Sequence, residues 1–527
     1  MCRRARTAAS MKTTSSAVLA LTAAAALLAA WSPPVDALPP EPTVVVTGLN
    51  NSRHFLLGRR LQSAGLAGTA QEYAAFWGVP FAKAPVGELR FKAPVPAPLP
   101  PGFSSFDSPD VPPCLQQDRN TSKIVGAEDC LKLHIFTPNY DKPELPVIVM
   151  YHGGGYMYGR APVLGTQFIM DHPVVLVTVE YRLGILGFMS FEDSEAPGNL
   201  GLLDMLEALR WVHANIRHFG GDSNRITVAG FSAGSAAAHV LSMSKQTKGM
   251  IKGVIGMSGS PLNPWALQQS PRQNALEVAR LMNCSAATTA AAVACLRGKD
   301  AGELAALQGA HFQDWLKNPF SPFGPVVDGR WSKSPVLADD PRKILGSKSS
   351  AADVPALLSL TADEGLFPTA EFLADPAKVQ KLDQQWETDA PRLLHLHGDH
   401  PSAERREGVA RRIRDQYLPL NASLAQEWRR LVKMVSDQNF VVGIAEQARM
   451  QAASQTRPVF VYLFDYRGEH SLAATDTGDR TTDWGVGHAD DFQYLFDFSW
   501  SGPMTRPVDV QMRKQLVELW ATFARNA

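Results

Sequence analysis

The chain has 527 residues, 45% of them hydrophobic, ample for a large buried core. Its 51 basic and 51 acidic residues cancel, so no long-range field directs it toward nucleic acid or an anionic membrane surface. Outside the amino-terminal leader no segment reads as a membrane span.

Residues 1–37 read as a secretory signal peptide. Arg3, Arg4, Arg6 and Lys12 make the basic end, and Ala17 to Trp31 is apolar but short for a span. Val35-Asp36-Ala37 then offers small residues for cleavage before Leu38. Met11 is a second candidate start, because Met11-Lys12 alone makes an adequate basic end. Removal of 1–37 leaves 47 bases against 50 acids, a formal −3. Cys2 leaves with the leader, and Cys114, Cys130, Cys284 and Cys295 remain as an even set in an oxidising, extracellular compartment. Of three connectivities the local one, 114–130 with 284–295, is the simplest, each bridge closing a loop of about 10–16 residues worth roughly 3 kcal/mol. Sequons at Asn50, Asn120, Asn283 and Asn421 fit a glycosylated, secreted surface.

A Pro-rich linker follows Leu38, and Thr43-Val44-Val45-Val46 predicts an edge strand. Trp77 to Pro94 is too rich in Pro and Gly for a helix and is expected as an extended loop. Pro146 to Tyr151 and Val174 to Tyr181 are continuous apolar runs, the pattern of strands covered on both faces. Leu202, Met205, Leu206, Leu209, Val212 and Ile216 recur at helical spacing, which predicts an amphipathic helix over 201–218. Ile226-Thr227-Val228, Val254 to Met257, Ala356 to Leu360 and Val459 to Phe464 predict further buried strands. Strands alternating with helices imply an α/β fold with a mostly parallel central sheet covered on both faces. The long, charged segments 262–350 and 366–455 are expected as helical insertions capping the carboxyl edge of that sheet, where open α/β sheets bind ligands.

The strand at Ile226 runs directly into Gly230-Phe231-Ser232-Ala233-Gly234 and then a small-residue helical segment. Strand, sharp turn and helix with Ser at the apex would lift its hydroxyl above the sheet, with glycines where side chains would collide. Acyl transfer from such a serine also requires a His base, an acid to orient it and donors for the oxyanion. His152-Gly153-Gly154-Gly155-Tyr156 caps the strand ending at Tyr151, and a glycine run there frees backbone N–H groups to converge on one point. For the acid, the 356–360 strand runs into Asp363 and Glu364, between which the residues alone do not choose. For the base, His488 stands out among 13 histidines by following the last strand region and by its flanking glycines.

These motifs, with G-V-P-F-A-K-A-P-V-G-E-L-R-F (78–91), E-D-C-L-K-L-H-I-F-T-P (128–138), G-N-L-G-L-L-D (198–204), F-G-P-V-V-D-G (323–329) and H-A-D-D-F-Q-Y-L-F (488–496), resemble the type-B carboxylesterase/cholinesterase family of α/β-hydrolases from about Val44 onward. The resemblance implies the α/β-hydrolase fold, one domain over 38–527, and helical insertions forming a gorge. It implies Ser232 as nucleophile, Glu364 as acid, His488 as base, and Gly154, Gly155 and Ala233 as oxyanion donors. It also implies the 114–130 and 284–295 disulfides, with Arg90 and Glu128 as an ion pair beside the first. Ser258 is similar to a serine that supports the acid, and Trp265 to an aromatic of the acyl pocket. The final residues, Leu519 to Ala527, resemble the interior of a terminal helix with more sequence to follow.

The chain also departs from the family pattern, and the first two departures count against choline esters. Phe231 stands where cholinesterases carry Glu and hormone esterases Gln. The loop from Cys114 to Cys130 is short and holds no Trp to receive a quaternary ammonium. Glu180 and Met205 replace an Asn and a Gln of the family pattern. The expectation is a secreted serine carboxylesterase acting on small, uncharged, fairly apolar esters, with no metal or cofactor. A cholinesterase-like or hormone-esterase specificity is one alternative, and a non-catalytic, neuroligin-like adhesion protein is the other.

Overall fold

Runs of β-branched and aromatic residues build a nine-stranded sheet among the described residues of the computed structural model, which are 41–47, 53–100, 102–119, 121–140, 144–161, 165–312, 321–347, 353–396, 402–497 and 502–527. The expected leader, Asn50 and Asn120 lie outside them. The strands are β1 (Arg59–Gln62), β2 (Glu72–Pro80), β3 (Lys132–Thr137), β4 (Leu145–Tyr151), β5 (Val175–Val179), β6 (Gly221–Phe231), β7 (Gly253–Met257), β8 (Ala356–Thr361) and β9 (Val459–Phe464). In space they run β1-β2-β3-β5-β4-β6-β7-β8-β9. The first three pairings are antiparallel, and every pairing from β5 to β9 is parallel.

Strand alternation divides the interior into two cores. Val147, Val149 and Tyr151 of β4 face one side, against Leu202 and Leu206 of helix α1 (Leu200–Asn215) and Ala236 and Val240 of α2 (Ala233–Met243). Ile148 and Met150 face the other, against Val517, Trp520 and Ala521 of α3 (Pro507–Asn526). The predicted helix over 201–218 is α1, whose end tightens into a 3₁₀ turn at Ile216–Phe219. The second insertion carries a core of its own, with Leu382, Trp386, Leu393, Leu431 and Met434 buried together. No helix among the described residues is long and apolar enough to cross a membrane.

One local expectation holds with an addition and two are corrected. Thr43–Thr47 is an edge strand, but of a separate three-stranded sheet with Arg53–Leu57 and Gly102–Ser105. Trp77–Pro80 is not loop: these residues end β2, and Gly87–Leu89 forms a 3₁₀ turn. A register shift between Phe76 and Val79 lets the strand bend through Gly78 (φ 76°). Val459–Phe464 is a strand and pairs with β8, but Phe460, Val461 and Leu463 are exposed, so β9 is an edge strand and not a buried one.

The site follows from strand order. β4 has β5 on one side and β6 on the other, and Gly230 of β6 pairs with Tyr151 of β4. The loops leaving their carboxyl ends therefore meet at a topological switch point, where such sheets open a crevice.

Candidate active site

Ser232 sits at the turn between β6 and α2 with φ 56° and ψ −121°, a conformation that L residues rarely adopt. The crowding around it accounts for the two glycines. A β-carbon at Gly230 would lie 2.1 Å from the Gly234 carbonyl oxygen, and one at Gly234 would lie 2.1 Å from that of Tyr151. Backbone bonds hold the strained residue: Ser232 N–H donates to Met257 O at 2.7 Å, and Ala236 N–H donates to Ser232 O at 3.1 Å.

His488 Nδ1 lies 2.6 Å from Glu364 Oε2, and both residues are buried. Glu364 Oε1 accepts the Thr361 N–H at 2.8 Å, which fixes the carboxylate plane. The neighbouring acid does another task. Asp363 accepts the Val486 N–H through Oδ2 at 3.0 Å while its own N–H donates to Val486 O, stitching the end of β8 to the loop that carries His488. Asp490 clamps the same loop, accepting from Gly487 N–H (2.8 Å) and Leu472 N–H (2.9 Å). Burial pushes its carboxyl up to about 7. Burial, with the charge of Glu364 next, drives the Asp491 carboxyl well above the usual range.

The glycine run after β4 turns sharply beside the serine. Gly154 (φ 106°) and Gly155 (φ 59°) adopt left-handed conformations, and a β-carbon on Gly154 would strike the Tyr158 carbonyl oxygen at 1.9 Å. Ser321 Oγ anchors the turn by donating to Gly155 O at 2.8 Å. Gly154, Phe231, Ser232 and His488 line one cavity of about 980 Å³.

Residues 53–527 match the family model described as the carboxylesterase family. The chain belongs to the carboxylesterase family. It is 35% identical over 462 residues to venom carboxylesterase-6 of Apis mellifera, covering 86% of this chain and 81% of that one. To juvenile hormone esterase of Tribolium castaneum it is 33% identical over 487 residues, covering 89% and 82%. Among solved structures it is similar to juvenile hormone esterase from Manduca sexta with OTFP covalently attached, at a TM-score of 0.76 and 26% identity, covering 92% of this chain and 90% of that one. The chain is thus a serine carboxylic ester hydrolase with the α/β-hydrolase fold.

The esterase surrounds its histidine with aromatic rings. Phe231, Phe367 and Phe440 stand 4.8, 5.0 and 5.0 Å from the His488 ring, and Phe231 stacks on Phe492 at 4.7 Å. Trp265 donates its Nε1–H to Asn439 O and packs against Phe440, so it backs the histidine cluster instead of lining the cavity. Ser258 is buried with φ 53°, but its Oγ makes no hydrogen bond to Glu364 or to any other described residue. Both local disulfides are formed, and Arg90 meets Glu128 through two 2.6 Å bonds beside the first. Asn283 and Asn421 are exposed.

Sequence reasoning missed the polar wall of the cavity. Arg119 bonds Glu371 at 2.7 Å, lies 3.7 Å from Asp476 and sits over the Phe367 ring at 4.9 Å. These groups come from the first disulfide loop, an insertion helix and the 472–477 helix, which no local spacing connects. Gln116 was equally hidden: its amide bonds both the N–H (2.6 Å) and the C=O (2.7 Å) of Gly159, tying that loop to the cavity's rim.

Proposed function

We propose that Ser232 is the nucleophile, His488 the general base and Glu364 the acid that orients it. The observation that carries this reading is the 2.6 Å contact of His488 Nδ1 with Glu364 beside a cavity that Ser232 and His488 both line. With Nδ1–H directed at the carboxylate, Nε2 is left to take the hydroxyl proton as Ser232 Oγ attacks the ester carbonyl carbon. The tetrahedral oxyanion is received by the N–H groups of Gly154, Gly155 and Ala233, donors of a kind worth a few kcal/mol each at the transition state. Collapse breaks the ester C–O bond, and His488 returns the proton to the departing alcohol. Water, deprotonated in turn by His488, then hydrolyses the acyl-serine and frees the acid.

The substrate we infer is an uncharged, fairly apolar ester. Asp118, Arg119, Arg160, Glu371, Lys378 and Asp476 line the cavity as three acids and three bases, so it presents no net charge to favour a cationic alcohol. Phe231 adds an apolar ring beside the nucleophile. Secretion, with glycans on Asn283 and Asn421, is in keeping with the two disulfides and the exposure of both sequons. A hormone-esterase specificity is the second reading, favoured by the two juvenile hormone esterases among the relatives.

A fluorophosphonate probe is expected to label the native chain and to leave Ser232→Ala unlabelled. Labelling that survives Ser232→Ala would sink the nucleophile assignment. Turnover of p-nitrophenyl butyrate is expected to exceed that of butyrylcholine, and comparable rates would refute the substrate class. Juvenile hormone hydrolysed far faster than either would favour the second reading.

A further inference from the structure

The glycine run is entered through His152, whose ring is enclosed at 4% exposure and stacked on Tyr181 at 4.3 Å. The Tyr181 hydroxyl donates to the His152 carbonyl at 2.7 Å. His152 Nδ1 lies 2.8 Å from the Gly153 carbonyl oxygen. A carbonyl only accepts, so Nδ1 carries the hydrogen, and in a neutral ring Nε2 is then a bare acceptor. Nε2 makes no hydrogen bond among the described residues. Facing it is Glu180, 1% exposed, whose Oε2 stands 3.9 Å away and also lacks a hydrogen-bond partner. Glu180 Oε1 is occupied, accepting the Ala161 N–H at 2.9 Å. An ionised carboxylate would oppose two acceptors in a dry interior. A single proton on Oε2 converts them into donor and acceptor, separated from a hydrogen bond by a carboxyl rotation of about 1 Å.

We propose that Glu180 is a positioning residue for the oxyanion loop: its carboxyl holds a proton and donates it to His152 Nε2, so that the braced ring fixes the backbone from His152 to Gly155. The idea rests on reading Gly154 and Gly155 as oxyanion donors. Burial acts in its favour on both partners, pushing Glu180 up to about 7 and His152 down to about 4. The Ala161 N–H, Arg160 and the Cys114 backbone N–H pull Glu180 the other way, toward the carboxylate, and the Gly153 carbonyl favours a charged His152 while Arg160 disfavours it. Tyr181, and Tyr156 beside it, are further titratable groups there, and burial keeps both neutral. As the pH rises past the range of this carboxyl the proton leaves, two acceptors face each other, and the loop loses its brace.

Infrared difference spectra, native minus Glu180→Gln, are expected to contain a protonated-carboxyl stretching band at about pH 6 that weakens toward about pH 9. Carboxylate bands alone at the lower pH would overturn the assignment, and this readout does not depend on activity. In kinetics, Glu180→Leu removes the donor and is expected to lower kcat about 10- to 100-fold with little change in KM. Glu180→Gln, whose amide donates to Nε2 and accepts from Ala161, is expected to recover most of that loss and to hold its kcat further into the alkaline range. Identical kcat and pH profiles in all three proteins would refute the positioning role. A native chain that fluorophosphonate does not label would instead defeat the Ser232 reading and leave the infrared result standing.

Discussion

The His488 ring is packed among three phenylalanine rings and meets a single carboxylate at Nδ1. In such surroundings the Glu364 charge is poorly screened, and in the proposed mechanism it would stabilise the imidazolium formed as Ser232 is deprotonated. Glu364→Gln keeps the shape but loses the charge and can turn a donor toward Nδ1; kcat is expected to fall on the order of 10³–10⁴-fold. Asp363→Asn, which can still accept the Val486 N–H, is expected to cost about 1 kcal/mol of stability and less than tenfold in kcat. A comparison of the two variants by steady-state kinetics and thermal melts checks the division of labour, and equal losses of kcat would contradict it. The two acids are adjacent in sequence, and propensity offers no basis for choosing between them. Only the bond from Thr361 and the pairing of Asp363 with the His488 loop separate their tasks. Ser232 was legible for the opposite reason: steric exclusion at Gly230 and Gly234 is local and is written into five consecutive residues.

The two disulfides close loops of similar size, 16 and 11 residues apart, and by chain entropy each contributes roughly 3 kcal/mol. They differ in what they hold. Cys114–Cys130 restrains the segment that carries Gln116, clasped to Gly159, and Arg119, bonded to Glu371. Cys284–Cys295 joins the end of helix Pro271–Leu281 to helix Thr289–Arg297, and neither helix lines the cavity. Replacing Cys284 and Cys295 with Ala is therefore expected to lower the melting temperature while kcat/KM stays within about twofold. The same change at Cys114 and Cys130 is expected to lower both, with kcat/KM down about tenfold or more. Equal kinetic effects from the two pairs would show that the first loop does not shape the cavity. The elements themselves were largely legible, since α1 and the parallel strands follow apolar periodicity. What escaped was the antiparallel side of the sheet: β1, β2 and β3 were not read as strands, and the end of β2 was expected as loop because Gly78 and Pro80 read as breakers while a register shift absorbs them within the strand.

Across the whole molecule the sheet ends differently on its two sides. At one side short β1 carries arginines at Arg59 and Arg60, the kind of charged edge that discourages further pairing. At the other, β9 pairs only with β8 among the described residues and exposes Phe460, Val461 and Leu463 at 51, 52 and 58%. Beside it lies a cavity of about 920 Å³ walled by Ile251, Leu357, Phe460, Leu519 and Phe523. The apolar run Val459 to Phe464 reads as a buried strand because hydrophobicity records what a strand is suited to touch, not whether a neighbour is present. An unprotected apolar edge recruits other chains. This 527-residue chain is thus expected to self-associate as its concentration rises, and Val461→Lys with Leu463→Lys, two residues on one face of β9, is expected to suppress that association. Light scattering against concentration measures the effect, and p-nitrophenyl butyrate turnover should be unaltered because neither residue lines the cavity that holds Ser232. Scattering that is the same in both proteins would mean that the edge is shielded in solution.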